Sequence, residues 1–170
     1  MHETAEDLRR LQDLLDDSYA TAGEHLLSIH TKNRRLKARK LAGLLTGVRV
    51  LALATVTSDG RPIAGPVDGL FYRAAFLFGS SPDSVRFRHI RERPHVSAVP
   101  TVGEELAVVV HGTARPIDVR DPDNQGYLGY LREVYPEWDA WWPAPRTPAY
   151  AVIDARRMFT FSMPAAQRSG

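Results

Sequence analysis

FLFGSSPDSVRFRHIRERPHV, residues 76–96, decides the fold. Phe76, Leu77 and Phe78 form a short apolar run of strand type. Ser80 and Ser81 follow, and Pro82 suits the first turn of a helix, where its missing N–H has no partner to lose. In the helix, Phe87 and Ile90 stand three apart and share one face, the core face. Arg86, Arg88, Arg91 and Arg93 fall mostly on other faces, and Pro94 ends the helix. A strand, a turn with hydroxyls, a basic helix and a second strand therefore follow in order. The helix start brings free N–H groups and arginines together, which favours an anion. The same residues also spell an ordinary capped surface helix with solvated arginines, and this stretch alone leaves both readings open.

Upstream, the pattern is helical. Residues 3–17 predict a helix with Leu8, Leu11, Leu14 and Leu15 in one stripe, and Thr4 with Asp7 makes a capping pair. Thr21 and Glu24 repeat that signal before a short segment, His25 to Ile29. Thr31 opens a third predicted helix that ends near Gly47. Its first half, KNRRLKARK (32–40), carries six basic residues in nine. No aromatics interleave with them for base stacking, so a solvated face is expected rather than a nucleic-acid site.

The composition changes at Val48. VRVLALATVT (48–57) reads as a buried strand. Ser58-Asp59-Gly60 is a hairpin turn, and Arg61 to Tyr72 is the return strand, interrupted by Pro62, Gly65, Pro66 and Gly69. Proline cannot donate to a ladder, so this strand is expected at an edge or with a bulge. Downstream, His95 to Val102 and Glu105 to Ile117 read as strands about the Gly103-Glu104 turn. DPDNQ (121–125) starts another helix, and all three tryptophans, Trp138, Trp141 and Trp142, cluster among prolines in a long loop or short helix, as a lid or as a hydrophobic plug over a barrel end or dimer seam. Tyr150 to Ile153 and Arg157 to Met163 make the last one or two strands. The expected architecture is mainly β with α: a helical extension over 1–46, and a six-stranded antiparallel barrel over 47–170 with one helix between its third and fourth strands.

The totals bound the function. The 170 residues carry 44% hydrophobic and 25% charged side chains, ordinary for a globular domain with a real core. The formal charge of +2 does not argue for nucleic acid. Without cysteine there is no disulfide framework, thiolate metal site or cysteine nucleophile. The six histidines, His2, His25, His30, His89, His95 and His111, show no metal-ligand spacing, so no metal is expected. Of these, His111 reads as a satisfied core or groove histidine, and His89 as a candidate for contacting a ligand's polar tail. The polar, acidic N-terminus is unlike a signal peptide, and no apolar run approaches membrane-spanning length. A cytoplasmic protein, away from membranes, is the expectation.

With that order in view, residues 44–117 resemble the pyridoxamine 5′-phosphate oxidase-like family of flavin-binding split barrels. The carrying residues are LALATVTSDGRPIAGPVDGLFY (51–72) and FLFGSSPDSVRFRHIRERPHVSA (76–98). The resemblance implies a six-stranded split barrel acting as a homodimer, with a flavin-type cofactor between subunits and a small-molecule substrate. It puts Ser80 and Ser81 where the strand end approaches the cofactor, and Ser84 and Arg86 at the cofactor phosphate. Arg88 falls at a second basic position, and Pro66, Val67 and Asp68 on the strand that flanks the ring system. Val85 stands where the oxidase proper has an arginine, and Asp68-Gly69 near its preceding arginine and lysine. Those departures point away from pyridoxamine phosphate as substrate. The implied cofactor is FMN, with the deazaflavin coenzyme F-420 as runner-up and haem third. An oxidoreductase is implied, its catalytic residues unassigned; a non-enzymatic cofactor carrier or scaffold is the rival from another class.

Overall fold

The computed structural model describes residues 1–146 and 148–163; Thr147 in the tryptophan segment, and the last seven residues of the expected barrel domain, lie outside them. Six strands close into an antiparallel barrel in the order β1-β2-β3-β6-β5-β4. They are β1 (Val48–Val56), β2 (Pro62–Tyr72), β3 (Ala75–Ser80), β4 (His95–Val102), β5 (Leu106–Ile117) and β6 (Ala149–Ser162). The expected barrel therefore forms, and helix α4 (Val85–Glu92) stands between the third and fourth strands. The two expected C-terminal strands are one long strand, which pairs with β5 along its whole length past an irregularity at His111/Gly112.

Alternation along the strands makes two cores. Side chains pointing inward, such as Leu51, Leu53, Val67, Phe71, Phe76 and Phe78, fill the barrel together with Phe87 and Ile90 of α4. Leu8, Leu11, Leu15, Leu36, Leu41 and Leu45 of the N-terminal segment belong to that same core. On the outer side, Leu70, Leu77, Tyr150 and Val152 are covered by α5 (Gln125–Val134) and α6 (Trp138–Trp141), which form a second core. The tryptophan segment is thus neither a loose lid nor a plug at a barrel end. It packs broadside on β2, β3 and β6.

The N-terminal helices keep some expectations and break others. Helix α1 (Ala5–Ala20) starts on the capping box of Thr4 and Asp7. The second signal fails, because Thr21 is the C-cap of α1, and α2 (Glu24–Ile29) starts from Gly23 with no side-chain cap. The third predicted helix is broken into a 3₁₀ turn at Lys32–Arg34 and α3 (Ala38–Leu44). Its backbone donors find partners elsewhere: Leu36 N–H donates to Thr160 Oγ1 at 2.8 Å and Ala38 N–H to Gln12 Oε1 at 3.0 Å. Tertiary partners outbid the helical ladder there.

The β2–β3 connection carried no turn signal in the sequence. Tyr72 pairs with Ala75, so the loop is only Arg73 and Ala74, at φ 51° and 65°. A primed two-residue turn demands positive φ, which non-glycine residues adopt at a cost. Arg73 is held there by its guanidinium, whose Nε donates to the buried carboxylate of Asp7 in α1.

Candidate functional site at the parting of two strands

β2 and β3 pair only from Gly69↔Phe78 to Tyr72↔Ala75. The proline-rich first half of β2 keeps its ladder with β1, from Val56↔Pro62 onward, but has no strand neighbour on its other side among the described residues. That half is an edge within a closed barrel, which explains how Pro62 and Pro66 are tolerated. β3 ends at Ser80 beside this gap, and the chain turns through Ser81–Ser84, with Ser84 N–H donating to Ser81 O at 3.0 Å. Pro82 lies in this turn and not in the first turn of the helix as expected. Ser84 is the N-cap, its hydroxyl accepting from Phe87 N–H at 3.3 Å, so the helix begins at Val85. The amides of Val85 and Arg86, first in the helix, have no intrahelical acceptor.

Arg86 reaches across the gap. Its Nη2 donates to Pro66 O at 3.2 Å, and its Nη1 lies 3.5 Å from Ser80 Oγ. Burial pushes the guanidinium pKa down from its ordinary value. No carboxylate pairs with it among the described residues. A half-buried positive charge with only a carbonyl and a hydroxyl as neighbours keeps capacity for an anion.

The candidate residues are thus only partly assembled. Pro66, Ser80, Ser84 and Arg86 share the gap, with Ser81 exposed at its rim. Asp68 is exposed one alternation further along β2, whereas Val67 points its side chain into the barrel core and has only its backbone to offer. Arg88 turns away, its Nη1 donating to Asp83 O at 3.0 Å. Two more arginines are engaged likewise: Arg91 Nη2 donates to Pro82 O at 3.0 Å and Arg93 Nε to Val56 O at 3.0 Å. His89 is buried, its Nδ1 2.9 Å from Thr55 Oγ1. His111 is exposed on β5, its Nδ1 2.8 Å from Ser97 Oγ on β4. No cluster of histidine, aspartate and glutamate among the described residues could hold a metal ion, and no helix there is long and apolar enough to cross a membrane.

Beside the gap lies a cavity of about 300 Å³ that sequence reasoning missed. Ser80, Ser81 and Asp68 line one side, and Tyr135, Trp138 and Trp142 the other. Trp138 is buried, and its Nε1 donates to Tyr150 Oη at 2.8 Å. Gly79 is the signal that pointed there: a Cβ at this position would stand 2.6 Å from the Tyr150 ring, so the strand must be bare for the ring to lie on it. A glycine inside a strand marks such an approach but does not name what approaches.

Comparisons with known proteins agree with this geometry. The family model described as "Pyridoxamine 5'-phosphate oxidase" matches residues 38–166, about three quarters of the chain. Among solved structures, the fold is similar to a conserved hypothetical protein from Mycobacterium tuberculosis, with TM-score 0.64, 17% identity, and 82% of this chain and 96% of that one covered. An FAD-binding protein from Mesorhizobium loti gives TM-score 0.59 and 22% identity, over 77% of this chain and 98% of that one. A protein described as an F420 reductase gives TM-score 0.51 and 19% identity, over 68% and 93%. No curated protein matches the sequence. The six-stranded barrel, the parted β2–β3 edge and the match over residues 38–166 together make this chain a member of the pyridoxamine 5′-phosphate oxidase-like family of flavin-binding split barrels.

Proposed function

We propose that this chain is a flavin-dependent oxidoreductase that binds FMN at the β2–β3 gap as a homodimer. The observation that carries the reading is Arg86: half-buried, aimed at Pro66 O, and without a carboxylate partner among the described residues. Its guanidinium, the Ser80, Ser81 and Ser84 hydroxyls and the first amides of α4 would hold the phosphate. Pro66 and Asp68, with the backbone of Val67, would flank the ring system. FMN supplies the ring that accepts or gives up a hydride, while the protein binds and orients it. Asp83 lies on the turn, but its carbonyl is what engages Arg88, so Arg86 is left to the gap.

In this reading a second copy of the chain would pack on the outer face of β2-β1-β4. Pro66, Ala52 and Val99 form one row across it, and Ala64, Ala54 and Ser97 the next. Val50 beside them is 59% exposed. An exposed sheet face of small and apolar residues, with Asp68 across from Val50 at its margin, suits an interaction surface, and a self-complementary patch makes a two-fold dimer. Pro66 sits at its margin, so the gap and the dimer face adjoin. Sequence character favours the cytoplasm as the location.

The deazaflavin coenzyme F-420 is the second reading. A cavity of about 580 Å³ at the β1–β2 hairpin is lined by Arg61, Arg88, His89 and Arg93, with Asp59 and Glu92 paired to Arg61 and Arg93; the coenzyme's longer anionic tail would have to displace those carboxylates. The test is the absorbance spectrum of the purified protein, followed by titration with FMN and with the deazaflavin coenzyme. A flavin spectrum and tighter FMN binding support the first reading; preference for the deazaflavin moves the assignment to the second. A Soret band would move it to haem. A colourless protein that binds neither flavin sinks both redox readings. Bound cofactor that no donor or acceptor pair can reduce or reoxidise would make the chain a carrier.

A further inference from the structure

The cavity beside the gap is walled mostly by aromatic and aliphatic side chains, with two serines and, among the described residues, a single charge. Tyr135, Trp138, Trp141 and Trp142 present aromatic rings, and Leu70 and Leu77 floor it from β2 and β3. Among the described residues, Asp68 is the only charged side chain in the lining, and no lysine, arginine or histidine is among those that form it. Asp68 makes no ion pair and no side-chain hydrogen bond among the described residues. We propose that this cavity is the substrate pocket and that it selects a flat aromatic ring carrying a positive charge.

The volume, about 300 Å³, stands at the lower end of small-molecule sites and holds one or two fused rings. Aromatic faces attract a cation through the ring quadrupole, and a carboxylate without a partner supplies the countercharge. An anionic substrate would meet Asp68 with no basic side chain among the described lining residues; the neighbouring guanidiniums stand outside it, Arg86 beside Ser80 and Arg120 over the Trp138 ring. Tyr135 adds a neutral hydroxyl: burial, and then the charge of Asp68, push its pKa up to about 12, so it stays a donor. The wall is preorganised rather than soft. Trp138 is fixed by its bond to Tyr150, and Arg120, outside the cavity, sits over the Trp138 ring at 4.8 Å and donates to the Trp142 carbonyl. Trp141, 55% exposed, stands at the rim with its ring 6.0 Å from that of Tyr135. Ser80 and Ser81 line both the cavity and the gap, so a ring held here would lie next to a cofactor held there. The substrate role therefore rests on the cofactor reading, although cation binding does not.

Three probes of similar shape test the proposal on the full chain: N-methylquinolinium as the cation, quinoline as the neutral ring, and 2-naphthoate as the anion. Binding is followed by calorimetry and by quenching of tryptophan fluorescence, without and with saturating FMN. The cation should bind at least about tenfold more tightly than the anion, a difference of ~1.4 kcal/mol. Asp68→Asn should erase that preference while leaving quinoline unchanged, and Trp141→Ala should weaken all three. Equal binding of cation and anion, or a preference that survives Asp68→Asn, overturns the proposal. Loss of the probe site when FMN is bound also overturns it, since the cavity would then belong to the cofactor. Probe binding with no FMN binding at all would remove the cofactor reading, and the substrate role with it, while leaving the cation site standing.

Discussion

Arg86 Nη2 donates to the carbonyl oxygen of Pro66 at 3.2 Å, three residues before the β2–β3 ladder begins at Gly69. The carbonyl is available because β3 has already ended, and the arginine is available because α4 starts where β3 stops. Neither strand nor helix makes the site alone. The gap between two strands that part, closed by one helix residue, is where the proposed phosphate would sit.

Arg86→Ala should raise the Kd for FMN by about 10- to 100-fold, because each charge-assisted hydrogen bond contributes roughly 1.5–3 kcal/mol. Arg93→Ala removes a guanidinium already engaged with Val56 O and Glu92, and should change it less than about threefold. Titration of both variants by flavin fluorescence checks this. Equal small effects would reduce the turn to a capped helix with surface arginines.

Asp7 controls the docking of α1. Its side chain is fully buried and receives bonds from Thr4, from Arg10 at 2.6 Å and from Arg73. Burial alone would push its pKa up, but those bonds outweigh it and hold the carboxyl at about 2, below its ordinary 3.8. The folded value is the lower one, so the stabilisation is present above pH ~4 and fades as pH falls towards 2; it amounts to about 2 kcal/mol. Asp7→Asn should therefore lower unfolding free energy by about 2–3 kcal/mol at pH 7 and by much less at pH 2.5. Urea denaturation at both pH values measures the difference, and a cost that does not depend on pH would refute the assignment.

Val50→Asp should convert the proposed dimer to monomer, since it places a carboxylate in the exposed apolar face of β1. Sedimentation equilibrium reads the mass, and circular dichroism confirms the fold. The substitution should also weaken FMN binding by several-fold, because the gap adjoins that face. A monomeric wild-type protein would remove the dimer from the proposal.

Tyr150→Phe should destabilise the second core by about 1–3 kcal/mol, because it leaves the buried Trp138 Nε1–H without an acceptor. Chemical denaturation measures this. The loss should be accompanied by a changed tryptophan emission, since Trp138 is the buried member of the cluster. An unaltered stability would mean that the indole finds another acceptor.

Several features were legible from local residues. The Thr4–Asp7 capping box, the Ser58-Asp59-Gly60 hairpin with Gly60 at φ 84°, and the inward pair Phe87 and Ile90 all depend on neighbours in sequence. An antiparallel barrel of about six strands followed from hairpin signals and apolar runs, and the family resemblance put Ser80 and Arg86 at one site; the strand order came only with the structure. Other features escaped because their causes lie far along the chain. The third helix breaks since Thr160, more than a hundred residues away, takes the Leu36 amide. Arg73 and Ala74 make a tight turn without glycine or asparagine because Asp7 holds the arginine.

Periodicity, turn chemistry and residue order by themselves determined an antiparallel barrel with an anion-suited helix start, because these are short-range properties of the backbone and its nearest side chains; that it is a split barrel came from the family resemblance. Which arginine faces the gap was decided only by the tertiary structure. Arg88, Arg91 and Arg93 bend back to carbonyl oxygens of Asp83, Pro82 and Val56, and Arg86 alone of the four reaches β2. The same is true of the tryptophans: their clustering was plain in the sequence, but that Trp138 bonds Tyr150, whose ring lies on Gly79, and that all three wall a cavity beside Asp68 depends on how β6 returns to pair with β3.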